Sequence, residues 1–278
     1  MLVSVVLTLT CAFSTLMAID VPTVTLNNGV KMPIVGYGAG HVTEQSVRDA
    51  LIAGYRHIDT SLNYGQSEHI IGKVLKEYEN KIKREDLFIT SKLENDYHSR
   101  SKVHKGIKES LANLGVKYLD LYLIHYPHEN WVETWEGMIE VLKQNLTRAI
   151  GVSNFDEHQL NQVMAKGVVP VVNQIICNPY QNQHTMLDFA KKHKIAITAW
   201  SPLGGPTYPG LLKDKKMVEI AAKHNVSTAQ VALRFEIQRN VIVIPNSKTD
   251  KYIKENINVF GFKLTDEEMK SIEKLNKK

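Results

Sequence analysis

Short apolar runs recur along the chain at Ile34 to Tyr37, Tyr55 to Ile58, Leu87 to Thr90, Leu119 to Ile124, Arg148 to Val152, Val171 to Gln174, Ile195 to Ala199 and Val241 to Ile244. Each leads through a polar loop into a segment whose apolar residues repeat every three or four positions, the period of a helix lying on a core. Helices are predicted at 43–53, 66–79, 100–114, 131–144, 156–166, 182–193, 215–238 in two pieces, and 249–258. A last one at 265–276 opens on Thr265-Asp266-Glu267-Glu268, in which Thr265 and Glu268 make a capping box. Ahead of the first run, Thr23 to Leu26 and Val30 to Pro33 flank Asn27-Asn28-Gly29, which tolerates positive φ and predicts an N-terminal hairpin.

Strands that are apolar throughout belong to a parallel sheet covered on both faces, and eight strand–helix units in about 250 residues fit the closed (β/α)8 TIM barrel. An open doubly wound sheet is the alternative. Gly36-Tyr37-Gly38-Ala39-Gly40 lacks the G-x-G-x-x-G spacing of a dinucleotide fingerprint and reads as a tight turn after the first barrel strand. No linker or shift of composition marks a second domain, so residues 19–278 are read as one barrel.

Residues 1–18 are different in kind: Leu2 to Ala18 is apolar and carries no charge, the pattern of a secretory signal peptide cut after Ala18. It lacks basic residues at its start, and Leu16 is large for its place before the cut. A secreted or lumenal protein is expected, and a cytoplasmic one if the leader is not a signal. Cys11 falls in the leader, which leaves Cys177 alone and rules out an intramolecular disulfide in the mature chain. Asn145-Leu146-Thr147 and Asn225-Val226-Ser227 are glycosylation sequons that matter only in the secretory pathway.

The net charge of +5 comes from 34 basic side chains mixed among 29 acidic ones. With no basic stripe interleaved with aromatics, this is a solvated surface rather than a nucleic-acid site. The expected partner is a small molecule, with no membrane contact once the leader is removed and a monomeric state.

In a barrel, chemistry sits at the carboxyl ends of the strands. The polar residues there are Asp59, Lys92, His125, Ser153, Asn154, Gln174, Ser201, Asn246 and Ser247, with Tyr64 in the loop five residues after Asp59. Each has a plain structural explanation: Asp59 as a helix cap, Tyr64 as a loop aromatic, Lys92 as a solvated lysine, Asn154 as an N-cap. Together, an Asp, Tyr, Lys and His on one rim suit proton donation to a carbonyl oxygen while hydride arrives at carbon. A lysine beside a phenol favours the phenolate and lowers its pKa, Asp59 holds Lys92, and His125 orients the carbonyl. Metal-dependent hydrolysis needs clustered His and carboxylate ligands, and neither H-x-H nor H-E-x-x-H occurs, so no metal is expected.

These residues resemble the aldo-keto reductases. The resemblance runs from about Val21 to Leu275 through Gly29 to Pro33, Gly54 to Tyr64, Ile89 to Leu93, Leu121 to His125, Ala149 to Phe155, Val172 to Gln174, Ala199 to Gly204 and Ile244 to Ser247. It implies a catalytic tetrad of Asp59, Tyr64, Lys92 and His125, and reduction of aldehydes or ketones with NADPH. Ser153, Asn154 and Gln174 would bind the nicotinamide amide, and Trp200 would stack on its ring. Ser201 and Leu203 would line the pyrophosphate, and Ser247, Glu255 and Asn256 the adenosine end. A non-catalytic binding barrel is the other class this resemblance allows.

Several departures bear on cofactor and substrate. Asn246 and Tyr252 stand where the family commonly has the Lys and Arg that clamp the 2′-phosphate, so NADH or dual use is the alternative unless Lys248, Lys251 or Lys254 compensates. Tyr37, Glu94 and Tyr126 are the expected substrate contacts, the last two where the family often has Trp. With a short loop from Pro127 to Trp131 and no long tail after Lys278, a wide, polar mouth of loose specificity is implied. One extra residue between Tyr64 and Gly72 should leave the phenol unmoved.

Overall fold

The computed structural model describes residues 20–277, and the signal-peptide reading of residues 1–18 lies outside them. β1 (Thr23–Thr25) and β2 (Lys31–Pro33) pair antiparallel, with Thr23 opposite Pro33, and form the N-terminal hairpin. The eight apolar runs then become eight parallel strands: β3 (Tyr37–Gly38), β4 (His57–Asp59), β5 (Phe88–Leu93), β6 (Leu121–Ile124), β7 (Ile150–Ser153), β8 (Val172–Ile176), β9 (Ala196–Trp200) and β10 (Ile242–Val243). They lie in chain order, and the sheet closes on itself where Val35 pairs parallel with Val243. Backbone bonds hold that seam, Val243 N to Ile34 O at 2.9 Å, Gly36 N to Val243 O at 2.8 Å and Gly38 N to Pro245 O at 3.0 Å. The barrel prevails over the open sheet.

The helices follow the predicted segments: α1 (Glu44–Ala53), α2 (Ser67–Tyr78), α3 (Val103–Leu114), α4 (Trp131–Lys143), α5 (Glu157–Met164), α6 (His184–His193), α7 (Lys215–His224), α8 (Thr228–Gln238), α9 (Asp250–Ile257) and α10 (Asp266–Glu273). The 215–238 segment splits because Asn225 takes a left-handed φ of 53° and Ser227 restarts the helix with a capping box to Gln230. Thr265 and Glu268 form the capping box of α10. Gly72 lets α2 press against α3, since a Cβ there would stand 2.5 Å from Asn113 O. None of the helices among the described residues is long and apolar enough to cross a membrane.

Val, Ile and Leu from β4 to β10, Tyr37 from β3 and the inner helix faces share one core, and a smaller cluster of Leu211, Met217, Ile220, Val231, Phe235, Leu264 and Ile272 joins α7, α8 and α10. Each such side chain contributes about 1.5–3 kcal/mol by leaving water. Several strands run further toward the mouth than the apolar runs foretold. Pairing of Lys92 with Leu123, Ser153 with Gln174, and Ile176 with Trp200 keeps Lys92, Ser153, Gln174 and Trp200 inside the sheet. Asp59, Lys92, Ser153 and Gln174 therefore stand on hydrogen-bonded strand, whereas Tyr64, His125 and Asn154 stand on the loops just beyond.

Candidate active site

Alternation along β5 turns Ser91 outward, where its hydroxyl donates to Glu68 of α2 at 2.6 Å, and turns Lys92 inward. There Lys92 Nζ meets Asp59 Oδ1, at the end of β4, at 2.5 Å, and also donates to Thr60 O at 2.8 Å. Asp59's second oxygen accepts from Gln174 Nε2 of β8 at 2.7 Å. Lys92 is 1% and Asp59 2% exposed, so this ion pair is dry. A turn closed by Tyr64 N and Ser61 O brings the phenol back over the pair, with Lys92 Nζ 5.0 Å from the Tyr64 ring centre. His125, just past β6, stands edge-on to Tyr64 at 5.6 Å. Its Nδ1 lies 3.2 Å from Ser61 Oγ, which fixes the ring.

Charge follows from this geometry. Burial pushes the Lys92 ammonium down, but Asp59 and Tyr64 outweigh it and hold Lys92 above the usual lysine range. Burial raises the Tyr64 phenol, Lys92 pulls it back, and Asp59 adds to the rise. The net direction is upward, which corrects the expectation that Lys92 sets a lowered value: its pull is present but smaller than the cost of a dry phenolate. His125 is pushed down to about 3 by burial, then by Lys92 and His98, and is neutral at physiological pH.

A belt of amides and hydroxyls continues around the rim. Ser153 Oγ donates to Gln174 O at 2.8 Å, and Asn154 Nδ2 to His125 O at 3.0 Å. Trp200 Nε1 donates to Asn154 Oδ1 at 2.9 Å, which fixes a half-buried indole at the end of β9. Asn154 and Ser201 both hold left-handed backbone, with φ of 64° and 50°. Leu203 is half-buried beyond them, and past β10 come Ser247, exposed Lys248, half-buried Glu255 and buried Asn256. Lys254 pairs with Asp250 at 2.7 Å, whereas Lys248 and Lys251 have no ion pair among the described residues.

The model of the aldo/keto reductase family matches residues 41–277. The chain belongs to that family. It is 42% identical over 260 residues to the 9,11-endoperoxide prostaglandin H2 reductase of Trypanosoma cruzi (strain CL Brener), covering 91% of each chain. It is 38% identical to aldo-keto reductase family 1 member A1-A of Danio rerio, over 92% of this chain and 90% of that one. Among solved structures, an aldo-keto reductase of Bombyx mori in complex with NADP superposes with a TM-score of 0.88 at 37% identity, covering 94% of each chain. One from Brucella melitensis does so with a TM-score of 0.86 at 41% identity, over 92% of this chain and all of that one.

Within this aldo/keto reductase barrel two expected site residues sit differently from the sequence reading. Tyr37 is 1% exposed, packs edge-on against Tyr55 at 5.7 Å and donates to Ser247 O at 2.8 Å. On the two-residue strand β3 its side chain falls on the outer face, so it is not a substrate contact. The Asn246 amide donates to the carbonyls of Gly38 (2.5 Å) and Gly40 (3.1 Å), where it ties down the loop after β3. Glu94 follows β5, and Tyr126 stacks on His125 at 4.7 Å with 45% exposure, forming the outer edge of the mouth. Sequence reasoning passed over Gly40, His41, Ser61 and His98. A Cβ on Gly40 would lie 3.8 Å from the Tyr64 ring, so its missing side chain opens the mouth there, and the His41 ring lies 6.0 Å from Tyr64.

Proposed function

We propose that this aldo/keto reductase reduces aldehydes or ketones to alcohols with NADPH, and that Tyr64 is the general acid. The observation that carries the reading is the Lys92 ammonium, held by Asp59 and Thr60 in a dry mouth and set beneath the Tyr64 ring. The donor set around it fits a nicotinamide dinucleotide. Ser153, Asn154 and Gln174 offer amide and hydroxyl groups for a carboxamide, and the anchored indole of Trp200 offers a flat face. Ser201 and Leu203 would line the pyrophosphate, with Ser247, Glu255 and Asn256 at the adenosine end. Lys248 and Lys251, free of carboxylate partners, supply the cations that a 2′-phosphate needs, which favours NADPH over NADH.

Bound NADPH supplies the hydride for the carbonyl carbon. Tyr64 Oη gives its proton to the carbonyl oxygen as negative charge builds there, and its phenolate takes the proton back in the reverse direction. Lys92 makes that phenolate attainable in a site whose dryness opposes it. His125, neutral and braced by Ser61, orients the carbonyl oxygen by donating from Nε2–H, the tautomer in which Nδ1 is the acceptor toward Ser61.

The test is NADPH consumption with 4-nitrobenzaldehyde by the wild type and by Tyr64→Phe. The variant should lose about a thousandfold in kcat while still quenching Trp200 fluorescence when NADPH is added. Full turnover by Tyr64→Phe would remove the role given to the phenol, and kcat/KM higher with NADH than with NADPH would overturn the cofactor choice.

A further inference from the structure

The backbone stays extended at Glu94, with φ −70° and ψ 147°, so the alternation of β5 carries past Lys92: Leu93 faces Gly106 of α3, and Glu94 returns to the inward side. Glu94 Oε2 is buried and accepts no hydrogen bond, and no cation pairs with Glu94 among the described residues. Its neighbour Asn95 likewise has a buried Oδ1 without a donor. The short 3₁₀ turn Asn95–Tyr97 then delivers His98, which is only 8% exposed. The backbone of Glu129 and His128 passes near its ring, yet neither ring nitrogen makes a well-formed hydrogen bond. His98 stands edge-on to His128 at 5.8 Å and is close enough to His125 to be felt by its charge.

Native proteins rarely leave buried polar atoms unpaired, because each costs its full desolvation. Here a carboxylate oxygen, an amide oxygen and an imidazole are left so in one turn, directly beyond the Lys92 that underlies the reacting position. Their unmet capacity is dominated by acceptors, and one of them carries a negative charge. Tyr126 stacks on His125 and is 45% exposed, so the mouth meets solvent on the side of His125.

We propose that Glu94, Asn95 and His98 form a subsite that selects carbonyl substrates whose far end carries an ammonium group over those ending in a carboxylate. The inference rests on the reductase reading and adds the substrate class to it. Glu94 supplies the charge, Asn95 a second acceptor, and His98 one acceptor nitrogen in its neutral form. All three are substrate-binding residues with no part in the proton transfer.

The experiment measures kcat/KM at pH 7 for 4-(dimethylaminomethyl)benzaldehyde, a tertiary ammonium that cannot condense with itself, and for 4-carboxybenzaldehyde. The ratio of the two is compared among the wild type, Glu94→Gln and Asp96→Asn, whose exposed carboxylate lies two residues away. Comparing ratios cancels the electronic effect of each substituent. Glu94→Gln should lower the cation-to-anion ratio about tenfold, while Asp96→Asn shifts it less than about twofold. The same ratio in all three proteins, or an equal fall in both variants, would overturn the subsite while leaving the reductase reading intact.

If the wild type turns over none of these aldehydes, the reductase reading fails instead. Calorimetric binding of the same two compounds then decides the subsite. Tighter binding of the cation that is lost in Glu94→Gln supports it, and equal binding overturns it. Removal of an unpaired carboxylate should not lower the melting temperature, and Glu94→Ser carries the same comparison if Glu94→Gln does not fold.

Discussion

Asp59 and Asp120 are the two buried aspartates among the described residues, and they lie at opposite ends of the barrel. Asp120 precedes β6 at the end away from the mouth. It accepts from Arg84 at 2.7 Å, Arg148 at 2.8 Å and the backbone of Ile89 at 2.9 Å. Arg84 is in turn fixed by Leu87 O, Tyr118 O and the face of the Tyr118 ring. Planar guanidinium groups satisfy both oxygens and lock the strands together. Asp59 faces one lysine and one amide, and the lysine keeps a donor for Tyr64 after meeting Asp59 and Thr60. A buried carboxylate held by two guanidinium groups and a backbone amide fastens a fold, while one whose lysine keeps a donor facing a phenol can tune a neighbouring acid.

The sharpest way to break this contrast is Lys92→Met. It leaves Asp59 unpaired and Tyr64 without the charge that favours phenolate, and should lower kcat by about a thousandfold. A variant that keeps more than a tenth of the activity would show that the donor toward Tyr64 is dispensable. At the other end, Asp120→Ala strands two arginines and should cost about 3 kcal/mol in chemical unfolding, with the surviving folded protein turning over normally. Loss of kcat in the folded fraction would blur the distinction between the two ends.

How much of this was legible in sequence depends on whether a residue's role is set by the chain or by what surrounds it. The runs of Val, Ile and Leu, the Asn-Asn-Gly turn and the Thr265–Glu268 box carry their periods and offsets in the chain itself. Asp59, Lys92 and His125 could be placed because a barrel gathers strand ends at one mouth. Tyr37 could not, since a two-residue strand gives no alternation from which to read its face. Gly40 acts through a side chain it lacks, and His98 sits on a 3₁₀ turn that no apolar period announces. The net rise at Tyr64 depends on burial, which a spacing of five residues from Asp59 does not reveal.

Acid should affect the two ends of the account differently. Burial, the largest cause in each case, holds His57 and His98 at about 4 and His125 at about 3. These folded values lie below the ordinary 6.5, so the unfolded chain binds protons first. The stability these imidazoles give is complete above about pH 6.5 and is lost as pH falls toward about 4. The melting temperature should decline over that window, while kcat for reduction shows no step between about pH 5 and 8. A step near 6.5 in kcat would mean that His125 titrates during turnover. A smaller effect is expected at the far rim, where Lys248→Ala should reduce the NADPH-to-NADH ratio of kcat/KM about fivefold. An unchanged ratio would move the phosphate contact to Lys251.

The most direct test of the division between the two aspartates is kcat for Asp59→Asn and Asp120→Asn, measured side by side at a temperature where both are folded. The account predicts that Asp59→Asn loses about a hundredfold or more, because Lys92 is no longer held at Tyr64, while Asp120→Asn stays within about twofold of the wild type. Equal losses in the two variants, or full activity in Asp59→Asn, would contradict it.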